Sequence, residues 1–485
     1  MFAQPLFTQL HASGLSSLCL FKPLSVRFKA LALTALLSLV TPWAQSQPKE
    51  NSTLQLDEAP RIAFHAQTTW IGQSKPAFNT PTPYSESAYM LSPLAEQGFS
   101  MTVTADVGVR LWKGAQLHIN PESARGASLS KSLGTASIPN GELQRGANMA
   151  WSSYRARMFL MQRWSGDGDT VDIEPDFNEM GGKASANRWT LVAGNFSLLD
   201  FFDANPYSKD PRSQFMNWSF LTHGAWDYAA DARGYTQGVM LDYTTPTWAL
   251  RFARTAVPVE SNGYALDEAL GIHYGDQIEF ETDLPLRLQH GPMRGSIIYY
   301  RNKAQMFAYK DAAQIAGIAS TDYLAIPRSE QTKTGYGITL MAPFDEEAGL
   351  FFRYSKNDGQ FEQYNFIEID QQWALGAVFT GKAWGRGQDR VGVALATNDL
   401  SQAHRNYFSA GGKGFFVGDG VANTLNYAPE RTFETWYRWS VDDINSKVGK
   451  LQNAFSVGWQ YILNPGYNQD RGPMSVYSVR WHSEF

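Results

Sequence analysis

The 485-residue sequence contains a single cysteine, Cys19, and few charged residues. With one thiol the chain cannot form an internal disulfide, and a metal site built from several thiolates is excluded. Charged residues make up 18% of the chain while 43% is hydrophobic, so intrinsic disorder is not expected. After residue 46 no uninterrupted apolar run reaches the roughly 18 residues that a spanning helix needs. The net charge of -5, without a dense Lys/Arg cluster, argues against nucleic-acid binding.

The first 46 residues have the order expected of a secretory signal peptide. Basic residues lie between 22 and 29, the apolar stretch 30–40 follows, and small residues stand at Ala44 and Ser46. This order predicts export and cleavage after Ser46 or Ala44, which would also remove the cysteine. An uncleaved anchor is the alternative, although this apolar stretch is too short to span a bilayer. The expected divisions are a signal peptide, a periplasmic segment and one membrane domain: residues 1–46, 47–60 and 61–485.

Alternation of apolar and polar residues is the clearest pattern in the rest of the chain. From Phe99 to Leu111 every odd position is apolar, and the even positions are Ser, Thr, Asp, Gly or Arg. Successive side chains of a strand point to opposite faces, so this segment is a strand with one apolar and one polar face. A turn at 112–114 and renewed alternation from Ala115 to Asn120 predict a hairpin. About sixteen or seventeen such segments occur along the chain.

Two architectures can use strands of this kind. A soluble sandwich or propeller covers the apolar faces with other protein, whereas a membrane barrel turns them to lipid around a wet interior. Three features favour the barrel: the length of the segments, tryptophans near their ends such as Trp112 and Trp373, and short turns that alternate with long connections. We therefore predict an all-β, transmembrane, antiparallel up-and-down barrel of sixteen strands (eighteen is the alternative), with long extracellular loops and an inward-folded constriction loop.

The end of the sequence fits the same architecture. Tyr477, Trp481 and Phe485 share one face of the last strand, while Arg480 and His482 share the other. A last strand that ends in an aromatic residue is the form that the barrel-insertion machinery of Gram-negative bacteria recognises. That machinery is therefore an expected partner, and the outer membrane is the expected location.

Eight runs of sequence, taken in order, point to one known family. The runs are residues 119–122, 138–142, 194–197, 200–218, 227–231, 410–412, 415–420 and 464–473. They resemble the carbohydrate-selective outer-membrane porins, and the resemblance extends from about residue 61 to Phe485. It implies a sixteen-stranded barrel through which small carbohydrates or related polyols diffuse passively, without catalysis, cofactor or metal. Relatives that are linked to quinate make a porin for small organic acids the alternative within transport.

The segment 197–234 is the expected constriction loop. It is too long for a plain connection in a compact domain, and such loops are usually functional. Its polar groups can replace a sugar's water shell by hydrogen bonds, and its aromatic rings can cover the sugar's apolar face. Its candidates for pore lining and solute contact are Asp203, Asn205, Asp210, Arg212, Trp218, Asp227, Tyr228, Asp231 and Arg233. Two alternatives stay open: the charges could pair and fasten the loop to the wall, or the segment could be an external lid.

Charged residues on the predicted lumen face of the strands complete the candidate set. They are Asp106, Arg110, Glu122, Arg155 and Arg157. Arginines there could attract anions, or could give a sugar two parallel hydrogen bonds. Acidic residues share the same face, so pairing within the wall is the alternative, and mixed charge favours a neutral polyol. Arg110 and Arg157 are the first choices for solute contact.

An enzyme is not expected from this sequence. The seven histidines after residue 46 are scattered, and none has metal-ligand spacing such as HExxH. A hydrolase assembled at the barrel rim is the alternative from another class, because a nucleophile and its base can come from distant strands. A soluble periplasmic protein that binds carbohydrate is a further rival. The sequence leaves open whether the barrel is a monomer or a homotrimer.

Overall fold

The computed structural model describes residues 60–80, 91–143, 149–315, 317–345, 347–445 and 450–485. Within these residues, sixteen antiparallel strands form one closed barrel, and this confirms the predicted fold. The predicted signal peptide, and all but the last residue of the predicted periplasmic segment 47–60, lie outside the described residues and stay predictions. In the part of the chain that the structure describes, no helix is both long and apolar enough to cross a membrane.

Eighteen strands and three α-helices are found in the described residues. The strands are β1 (Ile62–Lys75), β2 (Glu96–Trp112), β3 (Ala115–Ala127), β4 (Ser152–Ser165), β5 (Thr170–Ile173), β6 (Gly182–Ser185), β7 (Arg188–Phe196), β8 (Thr236–Thr244), β9 (Trp248–Thr255), β10 (Tyr274–Leu288), β11 (Gly291–Met306), β12 (Ser329–Asp345), β13 (Ala348–Asn357), β14 (Gln371–Gly381), β15 (Arg386–Asp399), β16 (Glu430–Asn445), β17 (Lys450–Leu463) and β18 (Met474–Glu484). The helices are α1 (Trp218–Leu221), α2 (Tyr309–Ala312) and α3 (Gln402–Ser409). Strands β5 and β6 form a separate hairpin, and the other sixteen form the barrel.

The barrel closes between its first and last strands. β1 pairs with β18 in a register that places Trp70 opposite Trp481. Beyond the last paired residue, the N–H of Ala66 donates to the carbonyl of Phe485 at 3.0 Å, and the N–H of Phe485 donates to the carbonyl of Ala66 at 2.8 Å. Closure satisfies the backbone groups that an open sheet edge would expose to lipid, where no water could replace the missing partner.

The two faces of the strands differ as the alternation predicts. On β2 the outward Val103 is 41% exposed, whereas the inward Asp106 is fully buried. On β18 the outward Trp481 is 40% exposed and the inward Arg480 only 1%. The apolar rows therefore face lipid, and the polar rows face the lumen and the chain segments inside it.

The two ends of the barrel differ in the length of their connections. One end carries tight turns such as 113–114 and 289–290, whereas the other carries long connections such as 307–328 and 400–429. Outer-membrane barrels place short turns in the periplasm and long loops outside, and this rule orients the barrel. The simple alternation of short and long turns fails once, because β4 and β7 are joined at the short-turn end by 166–187. That segment contains its own hairpin, which β5 and β6 form.

Long extracellular connections fold back and fill much of the lumen. The inward Tyr300 on β11 donates from its hydroxyl to the carbonyl of Ala225, at 2.9 Å. Around it, one continuous apolar cluster joins inward strand residues to residues of several connections, among them Trp226, Phe307 and Tyr407. These rings are buried, so burial of apolar surface fixes the connections inside the barrel.

Candidate functional site

The constriction segment, residues 197–235 between β7 and β8, is held to the wall by buried strand carboxylates. Glu434 on β16 accepts hydrogen bonds from the backbone N–H groups of Met216 (2.7 Å) and Asn217 (2.9 Å). Glu279 on β10 accepts one from the N–H of Asp203, at 2.7 Å. Buried backbone donors need acceptors, so these contacts fix the path of the segment within the lumen.

Asp203 fastens the constriction segment to β12 and β13. Its carboxylate lies 3.0 Å from the guanidinium of Arg353 and accepts hydrogen bonds from the hydroxyls of Thr222 (2.7 Å) and Thr339 (3.0 Å). Burial lowers the pKa of the adjacent His223 to about 4, so its ring is neutral near pH 7. Asp203 is itself buried, and it acts as a wall anchor.

Asp227 orders a neighbouring connection against the constriction segment. Its carboxylate accepts hydrogen bonds from the backbone N–H groups of Tyr364 (3.0 Å), Asn365 (2.7 Å) and Phe366 (3.0 Å). Like Asp203, it is buried. Three donors on one carboxylate fix the position of the loop that carries the Phe366 ring.

These anchors surround an open cavity, called here the constriction cavity, with a volume of about 270 Å³. It lies between the constriction segment and parts of three other extracellular connections. Seven predicted site residues line it: Arg157, Asp210, Arg212, Trp218, Tyr228, Asp231 and Arg233. Other residues on its wall are Glu142, Asp200, Lys209, Tyr235, Asn262 and Phe366. The structure therefore brings half of the predicted site residues to one cavity.

Two guanidinium groups face the constriction cavity already paired with carboxylates. Arg157 donates to both oxygens of Asp200, each at 2.7 Å. Arg212 donates from Nε to Glu142 at 2.7 Å, and its Nη2 lies 3.3 Å from Glu122. Such pairing fixes the orientation of a planar guanidinium group, so its remaining N–H groups can be presented to a solute oxygen.

Aromatic rings form another part of the cavity wall. Trp218 stacks on Phe366 with ring centroids 5.3 Å apart and an interplanar angle of 23°. Tyr228 lies against the same Phe366 ring, at 4.8 Å between centroids. Gly141 permits the position of the indole, since a Cβ atom there would come within 2.6 Å of Trp218 Cδ1. The cavity thus combines paired charges with flat apolar surfaces.

Lys209 differs from the arginines of the cavity. Its side-chain amine forms no hydrogen bond or ion pair with any residue that the structure describes. Burial lowers the pKa of Lys209 below its ordinary value, against the opposing effect of Asp200 and Asp203. Elsewhere on the cavity wall, burial raises the pKa of Asp231, and the backbone N–H groups that donate to its carboxylate partly offset this rise. The cavity therefore holds one ammonium group that a solute can reach without displacing a carboxylate.

Glu122 and Asn205 are candidates that do not line the constriction cavity. Glu122 is buried behind Arg212 and accepts hydrogen bonds from the hydroxyls of Thr104 (2.7 Å) and Tyr235 (3.1 Å). Asn205 is buried too, and its side-chain oxygen accepts the N–H of Tyr207 at 2.9 Å. Glu122 therefore supports the wall behind Arg212, whereas Asn205 fixes a local turn of the constriction segment.

Asp106 and Arg110 hold a second inward connection, at the periplasmic end. This periplasmic segment, residues 166–187, donates the N–H of Asn178 to Asp106 at 3.0 Å. Arg110 in turn donates to the carbonyl of Met180, at 3.0 Å. Both wall residues therefore lie away from the constriction cavity.

The prediction that Arg155 faces the lumen is wrong. The pairing of β3 with β4 places Asn120 opposite Arg157 but Pro121 opposite Arg155, so Ala156 is an extra residue. Such a bulge breaks the alternation of faces. Arg157 is buried inside, whereas Arg155 is exposed.

Several cavity residues were missed by sequence reasoning. Lys209 and Tyr235 lie within or next to the predicted constriction loop, so a wider choice of polar residues there would have included them. Phe366 and Asn262 come from other connections, and no spacing in the sequence links them to this segment. Among the described residues, no group of three or more His, Asp or Glu side chains is placed to hold a metal ion.

The closed barrel, its apolar outward face and its narrowed polar lumen together define a porin architecture. The model of one protein family, described as the carbohydrate-selective porin, OprB family, matches residues 94–485, and the chain belongs to this family. It is therefore a carbohydrate-selective porin of the Gram-negative outer membrane, a channel and not an enzyme. The resemblance seen in the sequence is confirmed.

The chain is similar to several solved structures, and the first of those named here supports this fold. The high-pH structure of Pseudomonas putida OprB has a TM-score of 0.61 at 14% identity, with 91% of this chain and 97% of that chain covered. Acinetobacter baumannii OccAB1 is similar with a TM-score of 0.46 at 12% identity, covering 90% of this chain and 99% of that one. A trimer form of Vibrio cholerae OmpT gives 0.42 at 9% identity, with 87% and 99% covered. A comparison with curated proteins gives no match.

Proposed function

We propose that the constriction cavity selects single, uncharged sugar rings, which diffuse through it down their concentration gradient. The proposal rests on one observation: oriented guanidinium groups and stacked aromatic rings line the same small cavity. Its volume of about 270 Å³ lies just below the roughly 300–1,000 Å³ usual for small-molecule pockets. A space of this size supports passage of monosaccharides in preference to longer saccharides.

The chemistry of the wall matches the two surfaces of a sugar ring. Hydroxyl oxygens can accept hydrogen bonds from Arg157 and Arg212, and hydroxyl protons can be donated to Asp210 and Asp231. The C–H face of the ring can lie against Trp218. Because the guanidinium groups are already paired, a sugar need not break strong charge pairs to pass, and its release stays fast enough for flux.

A second candidate solute class is the sugar acids and related small hydroxy acids. The observation that favours it is the ammonium group of Lys209, which has no acidic partner among the described residues. A solute carboxylate would supply that partner. The neutral sugar stays the first choice, because the other cations of the cavity have carboxylates beside them.

Liposome swelling tests the size preference. Vesicles that contain the purified protein should swell several-fold faster in glucose than in maltose at equal osmolarity, because the cavity has space for about one ring. Equal rates for the two sugars would contradict selection at this cavity. Reversal potentials in planar bilayers with gluconate salts test the second candidate, and a strong anion preference would replace the neutral-sugar proposal.

We also propose that the barrel-insertion machinery binds β18 through its outward aromatic side chains. Tyr477, Trp481 and the adjacent Phe485 supply these rings on the last strand. Replacing Trp481 by Ser should lower the amount of protein in outer-membrane fractions, while Ser478→Ala on the inward face should not. The oligomeric state, a monomer or a homotrimer, can be determined by chemical cross-linking in native membranes.

A further inference from the structure

Cations lie on the outward face of the barrel at its extracellular end. Arg254 and Arg301 both pair with Asp276, at 2.7 and 2.6 Å. In contrast, Lys356 on β13 and Arg431 on β16 are exposed and have no acidic partner among the described residues. An unpaired cation at the edge of a lipid-facing surface can attract an anionic lipid headgroup.

Arg431 borders a groove on the outward surface. The groove has a volume of about 410 Å³ and crosses strands β14 to β17. Its apolar and aromatic walls are formed by Trp373, Leu395, Phe433, Tyr461 and Leu463. Trp373 and Leu395 are among the exposed large apolar side chains, so the described protein leaves this surface open to lipid.

The register fixes the height of Arg431 in the membrane. It is the second residue of β16 and pairs with Thr397 near the end of β15 and with Leu463 at the end of β17. These are the extracellular ends of the strands, where aromatic side chains mark the membrane interface. An arginine at this height can lay its stem on the apolar wall and hold its guanidinium among lipid headgroups.

We propose that this groove binds the phosphorylated, multiply acylated glycolipid of the outer leaflet, with a phosphate on Arg431 and an acyl chain in the groove. A free guanidinium group can form two parallel hydrogen bonds to a phosphate. An acyl chain seated in the groove gains van der Waals contact with its apolar walls. Lys356 lies three strands away, roughly 14 Å at ordinary strand spacing, and offers a second cation to the same headgroup layer.

A second copy of the chain is a less suitable occupant. In a two-fold symmetric contact the same patch faces itself, which would place Arg431 near its own equivalent; in a homotrimer the groove would meet a different patch, and cross-linking through residue 431 tests that arrangement. The groove lining contains no acidic residue that could offset this repulsion. A phosphorylated lipid would supply a phosphate to Arg431 and an acyl chain to the apolar walls of the groove.

The test measures the affinity of the full barrel, in detergent micelles, for purified bisphosphorylated lipid A. Arg431→Gln should weaken binding about tenfold, the size expected for loss of one strong charge-assisted contact. Thr397→Trp, which keeps every charge but fills the groove beside Arg431, should also weaken it. Lys113→Gln removes an exposed cation at the periplasmic end and should leave the affinity unchanged.

Three results would overturn the proposal. One is equal lipid A affinity in the wild type and in both groove variants. Another is equal binding of dephosphorylated lipid A, which would show that the phosphate is not recognised. The last is cross-linking between copies through residue 431 in the presence of excess lipid A. Glucose-driven swelling should be the same in Arg431→Gln and the wild type, so this test is independent of the proposed solute.

Discussion

The constriction segment and the periplasmic segment enter the lumen from opposite ends and flank the same strand, β7, but they are held differently. Buried strand carboxylates accept backbone N–H groups of the constriction segment, and apolar rings pack around it. The periplasmic segment forms its own hairpin and keeps most of its carboxylates exposed. These exposed acids are Asp167, Asp169, Asp172, Glu174 and Asp176.

Because of this difference, we expect the constriction segment to be rigid and the periplasmic segment to be adaptable. A buried carboxylate with backbone donors on it has few alternative arrangements, because each donor it loses stays unsatisfied. An exposed hairpin can exchange its contacts for water at little cost. Substitutions at the anchors of the two segments should therefore have unequal effects.

The largest effect is expected for Glu434→Ala. The N–H groups of Met216 and Asn217 would lose their buried acceptor, at a cost of about 1–3 kcal/mol for each donor. The constriction segment should leave the wall, single-channel conductance should rise, and maltose should enter vesicles nearly as fast as glucose. Glu434→Gln keeps an acceptor oxygen and should show a smaller change. Unchanged conductance in Glu434→Ala would mean that other contacts suffice to hold the segment.

The next-largest effect is expected for Arg157, and it should distinguish this residue from its neighbour Arg155. Arg157→Gln leaves Asp200 without its bidentate partner and removes a donor from the cavity, so the glucose-to-maltose swelling ratio should fall several-fold. Arg155→Gln is the matched control, because the bulge places this residue outside. A similar fall in both variants would contradict the assignment of Arg157 to the cavity.

A smaller effect is expected from the charge of Lys209. Its pKa is lowered by burial, so the ammonium loses its proton at a lower pH than an ordinary lysine does. Gluconate permeability, measured by reversal potential, should therefore decrease as the pH rises toward 10, the region where free lysine titrates. Burial raises the pKa of Tyr228 and Tyr235 well above their ordinary value, so these phenols stay neutral over this range. The decrease should disappear in Lys209→Gln and persist in Lys183→Gln, and a decrease in both variants would assign it to another group.

The smallest effect is expected in the periplasmic segment. Glu179 pairs with Arg163, and both side chains are partly exposed. Glu179→Gln should change glucose flux by less than about twofold, because partly solvated ion pairs contribute little. A larger change, measured by swelling, would show that the periplasmic segment is held as firmly as the constriction segment.

The strands and their faces could be predicted because lipid on one side and the lumen on the other impose a period of two along most of each strand. Val103 and Asp106 fall on their predicted faces for this reason. Arg155 does not, because a bulge adds one residue to β4 without changing the composition of the segment. Alternation cannot reveal such an insertion.

The site could be predicted where the constriction segment supplies it, and where strand alternation turns a side chain inward, as it does for Arg157. Arg212, Trp218 and Asp231 belong to the constriction segment, whose length and polar composition are visible in the sequence. Phe366 reaches the cavity because Asp227 accepts three N–H groups of another loop, a contact across more than a hundred residues. Asp203 and Asp227 have the residue types of a solute site, but burial and their many donors make them anchors instead.

Two inward segments along one lumen act as diffusive resistances in series. The total resistance is their sum, so the narrower passage determines the measured flux and the wider one contributes little to it. The proposed selection makes the constriction the narrower passage. Opening the periplasmic passage alone should then change the flux little, and the same change should become measurable once the constriction has been widened. The effect of the periplasmic hairpin on transport is therefore best measured in a protein whose outer filter has already been removed.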